Sequence, residues 1–190
     1  KGFFAFLEAE KVYPNIANGI KGAKHQQGFR KDALTVEQAR RLLNGIDTTT
    51  LEGKRNYALI NLLLNTGLRT IEAERASIGD IRQEGGEALL YIQGKGRDSK
   101  DAFVVLTDST LYPIQKYLKA RSIIDPKAPL FASHSDRNDG NRITTRTISW
   151  IVKEALRAVG IDSERITAHS LRHTAVTLSL LAGATIQEAQ

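Results

Sequence analysis

The chain has 190 residues, 41% hydrophobic and 25% charged, enough apolar material to bury a core without staples. It contains no cysteine, which excludes a disulfide framework and a thiolate zinc site. A net charge of +6 and a pI near 9.6 favour polyanionic partners, and no apolar run has the length of a bilayer span.

Residues Phe3 to Val12 read as the tail of a helix, broken by Pro14, Asn18-Gly19 and Gly22. Lys21, Lys24, His25, Arg30 and Lys31 make the following stretch basic and polar, an exposed linker leaving an earlier domain. The chain starts at Lys1 with no signal-peptide pattern, and reads as a fragment of a longer protein. A compact domain is expected from Asp32. Thr35 and Gln38 have capping-box spacing and open a helix running to about Leu43. From Leu51 to Asn65 the chain is apolar around much of a helical girth, through Ala58, Leu59, Ile60, Leu62, Leu63 and Leu64. That pattern predicts a central buried helix, closed by Gly67 as its C-cap. A short helix follows from Thr70 to about Ala76.

Ala88 to Gln93 and Ala102 to Leu106 are rich in strand formers and flank the turn-rich Gly94 to Asp98, so a β-hairpin is expected. Ile78 to Ile81 is a candidate third strand. Ser109 to Ser122 reads as a helix with Leu111, Ile114 and Leu118 on one stripe. After Pro126 and Pro129 come Leu130-Phe131 and a polar loop from Ser133 to Asn141. Thr144 to Val159 is a helix with Ile148, Ile151, Val152, Ala155, Leu156 and Val159 inward, and Gly160 stops it. Ala168 to Ala182 is the next, closed by Gly183, and Thr185 opens one more. Helices, a small antiparallel sheet, then helices define an α+β class that is mostly helical.

Three features can carry chemistry. His169, Arg172 and His173 in Ala168-His169-Ser170-Leu171-Arg172-His173 share one helical face at i, i+3, i+4, near a helix N-terminus that suits an anionic oxygen. Arg69, in Asn65-Thr66-Gly67-Leu68-Arg69-Thr70-Ile71-Glu72, sits between two rigid helices. Its planar fork can grip two phosphate oxygens, and Glu72 can orient it. Lys95 stands in the hairpin tip with Arg97 and Lys100 close by, and a lysine there can protonate a leaving oxygen. Each also has an ordinary structural reading: a surface helix with scattered basic residues, an Arg–Glu pair at a helix junction, a solvated turn lysine.

Together and in this order, T-G-L-R-x-x-E after a buried helix, G-K-G in a hairpin and H-x-L-R-H on a late helix are far more specific. The chain from Asp32 to Gln190 resembles the tyrosine recombinase (phage integrase) family, nearest to integrases of phages and conjugative elements, with Xer-type recombinases close behind. The resemblance implies two domains. Residues 1–31 would be the end of a DNA-clamping core-binding domain and its linker, and residues 32–190 a catalytic domain ending before the family's second histidine and nucleophilic tyrosine.

It also implies roles. Arg69 and Arg172 would hold non-bridging oxygens of the scissile phosphate. His169 would hydrogen-bond that phosphate or assist proton transfer, and Lys95 would protonate the departing 5′-oxygen. Glu72 and His173 would support them. Tyr13, Tyr57, Tyr91, Tyr112 and Tyr117 all precede the H-x-x-R motif, and none matches the nucleophile. Lys24, Arg30, Lys31, Arg97, Lys100, Arg142, Thr145 and Arg146 are the expected contacts to double-stranded DNA, the last three at a helix start that serves equally as a cap. No cofactor is implied. A homotetramer on DNA is implied for the full-length protein, in a bacterial cytoplasm. The alternative is a non-catalytic DNA-binding module that keeps the phosphate pocket. A small-molecule phosphatase would leave the basic linker and the G-K-G hairpin unexplained.

Overall fold

The structure is a computed structural model and describes residues 2–21, 32–94 and 96–185. The elements are α1 (Gly2–Ala9), α2 (Val36–Asn44), α3 (Leu51–Thr66), α4 (Thr70–Arg75), β1 (Ile81–Glu84), β2 (Glu87–Ile92), β3 (Ala102–Leu106), α5 (Asp108–Arg121), α6 (Thr145–Ala158) and α7 (Ala168–Leu181). This is the expected mostly helical α+β arrangement, with one three-stranded antiparallel sheet in the order β1-β2-β3. No described helix is long and apolar enough to cross a membrane.

Helix α3 is the axis of the domain. Its six expected core residues, Ala58 to Ile60 and Leu62 to Leu64, are all buried. Helices α5 and α7 pack along it. In α5, Pro113 has no N–H, so the carbonyl of Ser109 loses its helical donor. Asn61 of α3 supplies the replacement, its Nδ2 donating to Ser109 O at 2.8 Å. A helix-breaking residue is thereby turned into a tie between two helices. At the other end of α3, Gly67 adopts a left-handed φ of 65°, and its N–H closes on Leu63 O at 3.0 Å. A Cβ at Gly67 would lie 3.3 Å from the Ala175 methyl, so the turn leaving α3 presses against α7.

The sheet departs from expectation at its start. Ile78–Asp80 forms a 3-10 turn rather than strand, because Asp80 Oδ2 accepts from Ser77 N at 2.7 Å and closes it locally. The first strand begins at Ile81. Gly85 and Gly86, both at positive φ (60° and 86°), form the two-residue loop to β2, with Glu84 opposite Glu87. The second hairpin has the expected partners, from Ala88 opposite Leu106 to Ile92 opposite Ala102.

Asp32 is joined to the segment between α6 and α7, its N–H donating to Arg165 O at 3.1 Å and its carboxylate pairing with the Arg165 guanidinium at 2.8 Å. Leu34 N donates to the buried Thr174 hydroxyl of α7 at 2.8 Å. Helix α1 buries none of its residues. Residues 186–190, expected to open a further helix, lie outside the described residues.

The polar segment after Pro129 is held by arginines donating to backbone carbonyls. Arg121 reaches Pro129 O (2.7 Å) and Gly140 O (3.2 Å), and the buried Arg55 reaches Ala132 O (3.1 Å). Beside them His134 Nε2 lies 3.0 Å from Tyr117 Oη, and Nδ1 lies 3.5 Å from Asp139. Burial first, and the Arg55 and Arg121 charges with it, push His134 below the usual histidine pKa, with Asp139 opposing. The unfolded chain therefore binds a proton more readily than the fold does. The stability held above the unfolded value of about 6.5 drains away as pH falls through it. Thermal melts at neutral and mildly acidic pH should show a larger acid-side loss for the parent than for His134→Gln; equal losses would remove His134 as the source.

Candidate phosphate-binding site

The first feature, Arg69, stands immediately beyond the Gly67 turn as the N-cap of α4. Glu72, one turn on, is 3% exposed and accepts twice from it: Arg69 N to Oε2 at 2.7 Å and Arg69 Nη1 to Oε1 at 2.9 Å. The arginine side chain stays half exposed. A buried carboxylate thus fixes one edge of the guanidinium and leaves the other facing outward.

Arg172, in the first half of α7, donates through Nη1 to Gly67 O. The close packing of the Gly67 turn on α7 is what brings this carbonyl within reach. Burial, and next the positive charge of Arg69, lower the Arg172 pKa from its ordinary value, while Glu72 acts to raise it. Two cations placed so that each opposes the other's charge are what an anion would relieve.

Arg69 and Arg172 line two cavities together. The larger, of about 640 Å³, runs from the arginines past Ile92, Gly94 and Arg97 of the hairpin and along β3 to Val176. The smaller, of about 290 Å³, is closed by Thr70, Ser149, Thr167 and His169. His169 is exposed on α7, and its ring meets that of His173 edge-on at 4.7 Å. The structure therefore brings together Arg69, Glu72, His169, Arg172 and His173 from α4 and α7. Lys95 lies outside the described residues, as do Lys24, Arg30 and Lys31. Gly94 and Arg97, on either side of that hairpin tip, line the larger cavity.

Other expected contacts are placed differently. Arg142 donates to Glu74 O at 2.5 Å, Ala76 O at 2.6 Å and Ser77 Oγ at 2.9 Å, so its guanidinium ties the loop before α6 to the end of α4. Lys100 pairs with Asp80 and reaches Arg75 O, within the fold. Both are engaged inside the protein rather than presented outward. Arg97 pairs with Asp101 at 2.6 Å on the surface. Thr145 N is capped by Glu74 Oε2 at 2.5 Å, and Arg146 beside it is exposed. Sequence reasoning missed Glu74, which registers α6 on α4, and Arg75, whose Nη1 holds Gly94 O at 3.2 Å at the hairpin base. Neither has a spacing signal, because both partners are distant in sequence. None of the five tyrosines lines either cavity.

Two guanidiniums held beside a histidine, one of them braced by a buried carboxylate, have the charge and donor geometry that a phosphate group requires. Residues 32–190 match the phage integrase family, and the chain belongs to it. The tyrosine recombinase XerC of Caldanaerobacter subterraneus subsp. tengcongensis is 36% identical over 148 residues, 76% of this chain and 38% of that protein. The tyrosine recombinase XerH of Campylobacter jejuni is 30% identical over 189 residues, 93% of this chain and 51% of that protein. The chain spans between about two fifths and three fifths of the curated relatives it matches first. Among solved structures, XerH in a post-cleavage complex with a palindromic difH substrate superposes with a TM-score of 0.75 at 25% identity, covering 99% of this chain and 56% of that one. A lambda integrase tetramer bound to a Holliday junction shares the fold, with a TM-score of 0.63 at 19% identity over 99% of this chain and 53% of that one.

Proposed function

We propose that this protein is a site-specific DNA recombinase that cuts and rejoins DNA through a 3′-phosphotyrosine intermediate, for integration or excision of a mobile element. The observation that carries the reading is the shared wall of Arg69 and Arg172, with His169 at its edge. In phosphoryl transfer the charge gathers on the non-bridging oxygens, and two fixed guanidiniums stabilise it without reorganising. The tyrosine oxygen forms a bond to phosphorus as the bond to the 5′-oxygen breaks, and Lys95 gives that oxygen its proton. A 5′-hydroxyl of another strand then attacks the phosphotyrosine, releasing the tyrosine and restoring the phosphodiester. The linkage conserves the bond energy, so no nucleoside triphosphate is consumed. The attacking tyrosine is none of the five in this chain.

The XerH and lambda integrase complexes support double-stranded DNA as the partner, and the tetramer on a Holliday junction supports a homotetramer as the working assembly. The reaction takes place in the cytoplasm, at the DNA. The test is a nicked suicide duplex carrying the target site. The full-length protein is expected to trap as a covalent adduct, and residues 1–190 alone to give none. No adduct from the full-length protein, with DNA binding retained, would leave a binding module. An adduct from residues 1–190 would make one of the five tyrosines the nucleophile.

Arg146 is the exposed cation of the α6 start, and Arg146→Ala should weaken duplex binding. A lost phosphate contact lowers the slope of log affinity against log salt by about 0.9. A salt titration that returns the parent slope would remove Arg146 from the interface.

A further inference from the structure

A third cavity, of about 790 Å³, opens between the first half of α3 and one side of α5. Among the described residues, Lys54, Tyr57, Tyr112, Lys116 and Lys119 line it, and no carboxylate does. Tyr112, Lys116 and Lys119 follow one another at i, i+4 and i+7 on one face of α5. Tyr112 is 57% exposed, and Lys116 Nζ stands 4.5 Å from the centre of its ring. Lys54 Nζ donates to Thr49 O at 2.9 Å, which uses one of its three donors. Pro113 and Ala120 complete apolar walls.

Aromatic faces, ammonium groups and an absence of acid select a ligand with a flat ring and a negative charge. A base carrying a phosphate has both: the base stacks on tyrosine and the phosphate meets lysine. An acidic peptide satisfies the lysines but leaves the exposed ring of Tyr112 without a stacking partner. The site is distinct from the arginine pair. Lys54 precedes Gly67 by thirteen residues, almost all within α3, which is about 20 Å at 1.5 Å per residue. A nucleotide held here is therefore not the one being cut.

We propose that this cavity is a second nucleic-acid site, binding a base-and-phosphate unit at the far end of α3 from the arginine pair. It stands whether or not the protein proves to be a recombinase. The test uses the full-length protein with Arg69→Ala and Arg172→Ala, so that binding at the arginine pair is removed from the signal. A fluorescein-labelled oligothymidylate, 5′-dAMP and a glutamate-rich peptide are titrated in turn, with backbone amide signals of Tyr57 and Lys116 followed by NMR. Adding Tyr112→Ala, Lys116→Ala and Lys119→Ala should weaken oligothymidylate binding by about tenfold. The salt slope should fall by about 0.7 for each lysine. All three side chains are exposed, so an unchanged melting temperature certifies the fold. Equal shifts with 5′-dAMP identify a free nucleotide as the ligand, and shifts with oligothymidylate alone identify a strand. An oligothymidylate-induced shift of the Tyr57 amide that is undiminished in the combined variant overturns the proposal, as does an acidic peptide that shifts these signals when oligothymidylate does not.

Discussion

In the Arg172→Ala protein, covalent adduct formation on a nicked duplex is expected to fall by about 10²- to 10³-fold, the usual cost of losing one preorganised donor to a developing oxyanion. The guanidinium is already placed in the folded protein: Gly67 O holds Nη1, and Arg172 lines the same cavity as Arg69. Binding of intact duplex should fall far less, because many backbone contacts share that energy while few act on the scissile phosphate. Arg172→Lys should recover little. An ammonium is a single point of charge, and it cannot hold Gly67 O and present a planar fork to phosphate together. Gly67 O loses its donor in Arg172→Ala, for a stability cost of about 1 kcal/mol that a thermal melt will register. Adduct formation within a few-fold of the parent would place the phosphate elsewhere.

Glu72→Ala is expected to act on both fold and reaction. The carboxylate is 3% exposed and accepts from both the backbone N–H and the guanidinium of Arg69. Removing it takes the acceptor from a part-buried N–H at the start of α4, at a cost of about 1 kcal/mol. It also frees Arg69 to swing, and a displacement of about 1 Å can cost about 10²-fold in rate. Single-turnover cleavage and thermal melting should therefore fall together. Glu72→Gln keeps one acceptor and the side-chain volume, so it should retain more stability than activity. A Glu72→Ala protein that melts lower but cleaves at the parent rate would restrict Glu72 to a structural task.

Much of this was legible from local pattern. The six-residue apolar core of α3 lies where its helical period predicts, since a helix apolar on all sides has nowhere to go but the interior. Thr35 and Gln38 form the predicted capping box, a motif complete within four residues. The Gly85-Gly86 loop is as local as these and marks the end of β1, whose start follows a segment that folds as a 3-10 turn. Helix α7 deviates further. Leu171 and Ala175 are buried, but so are Ser170 and Thr174, whose hydroxyls bond to Arg165 O, Leu34 N and Ser170 O. Hydrophobic period cannot find a buried face that is polar and satisfied.

The arginines mark the same boundary. Residue type and spacing nominated Arg69, His169 and Arg172, and no local rule could separate them from Arg142 and Lys100, which carry the same charge in equally polar segments. Partners far away in the chain made the distinction. Carbonyls of Glu74 and Ala76, over sixty residues away, take up Arg142; Asp80 takes up Lys100; and Gly67, over a hundred residues before Arg172, turns it toward Arg69. Chemistry is written in side-chain identity and therefore reads out one residue at a time. Which cation is left facing an anion depends on where carbonyls and carboxylates arrive after packing, and that becomes known only when the helices meet.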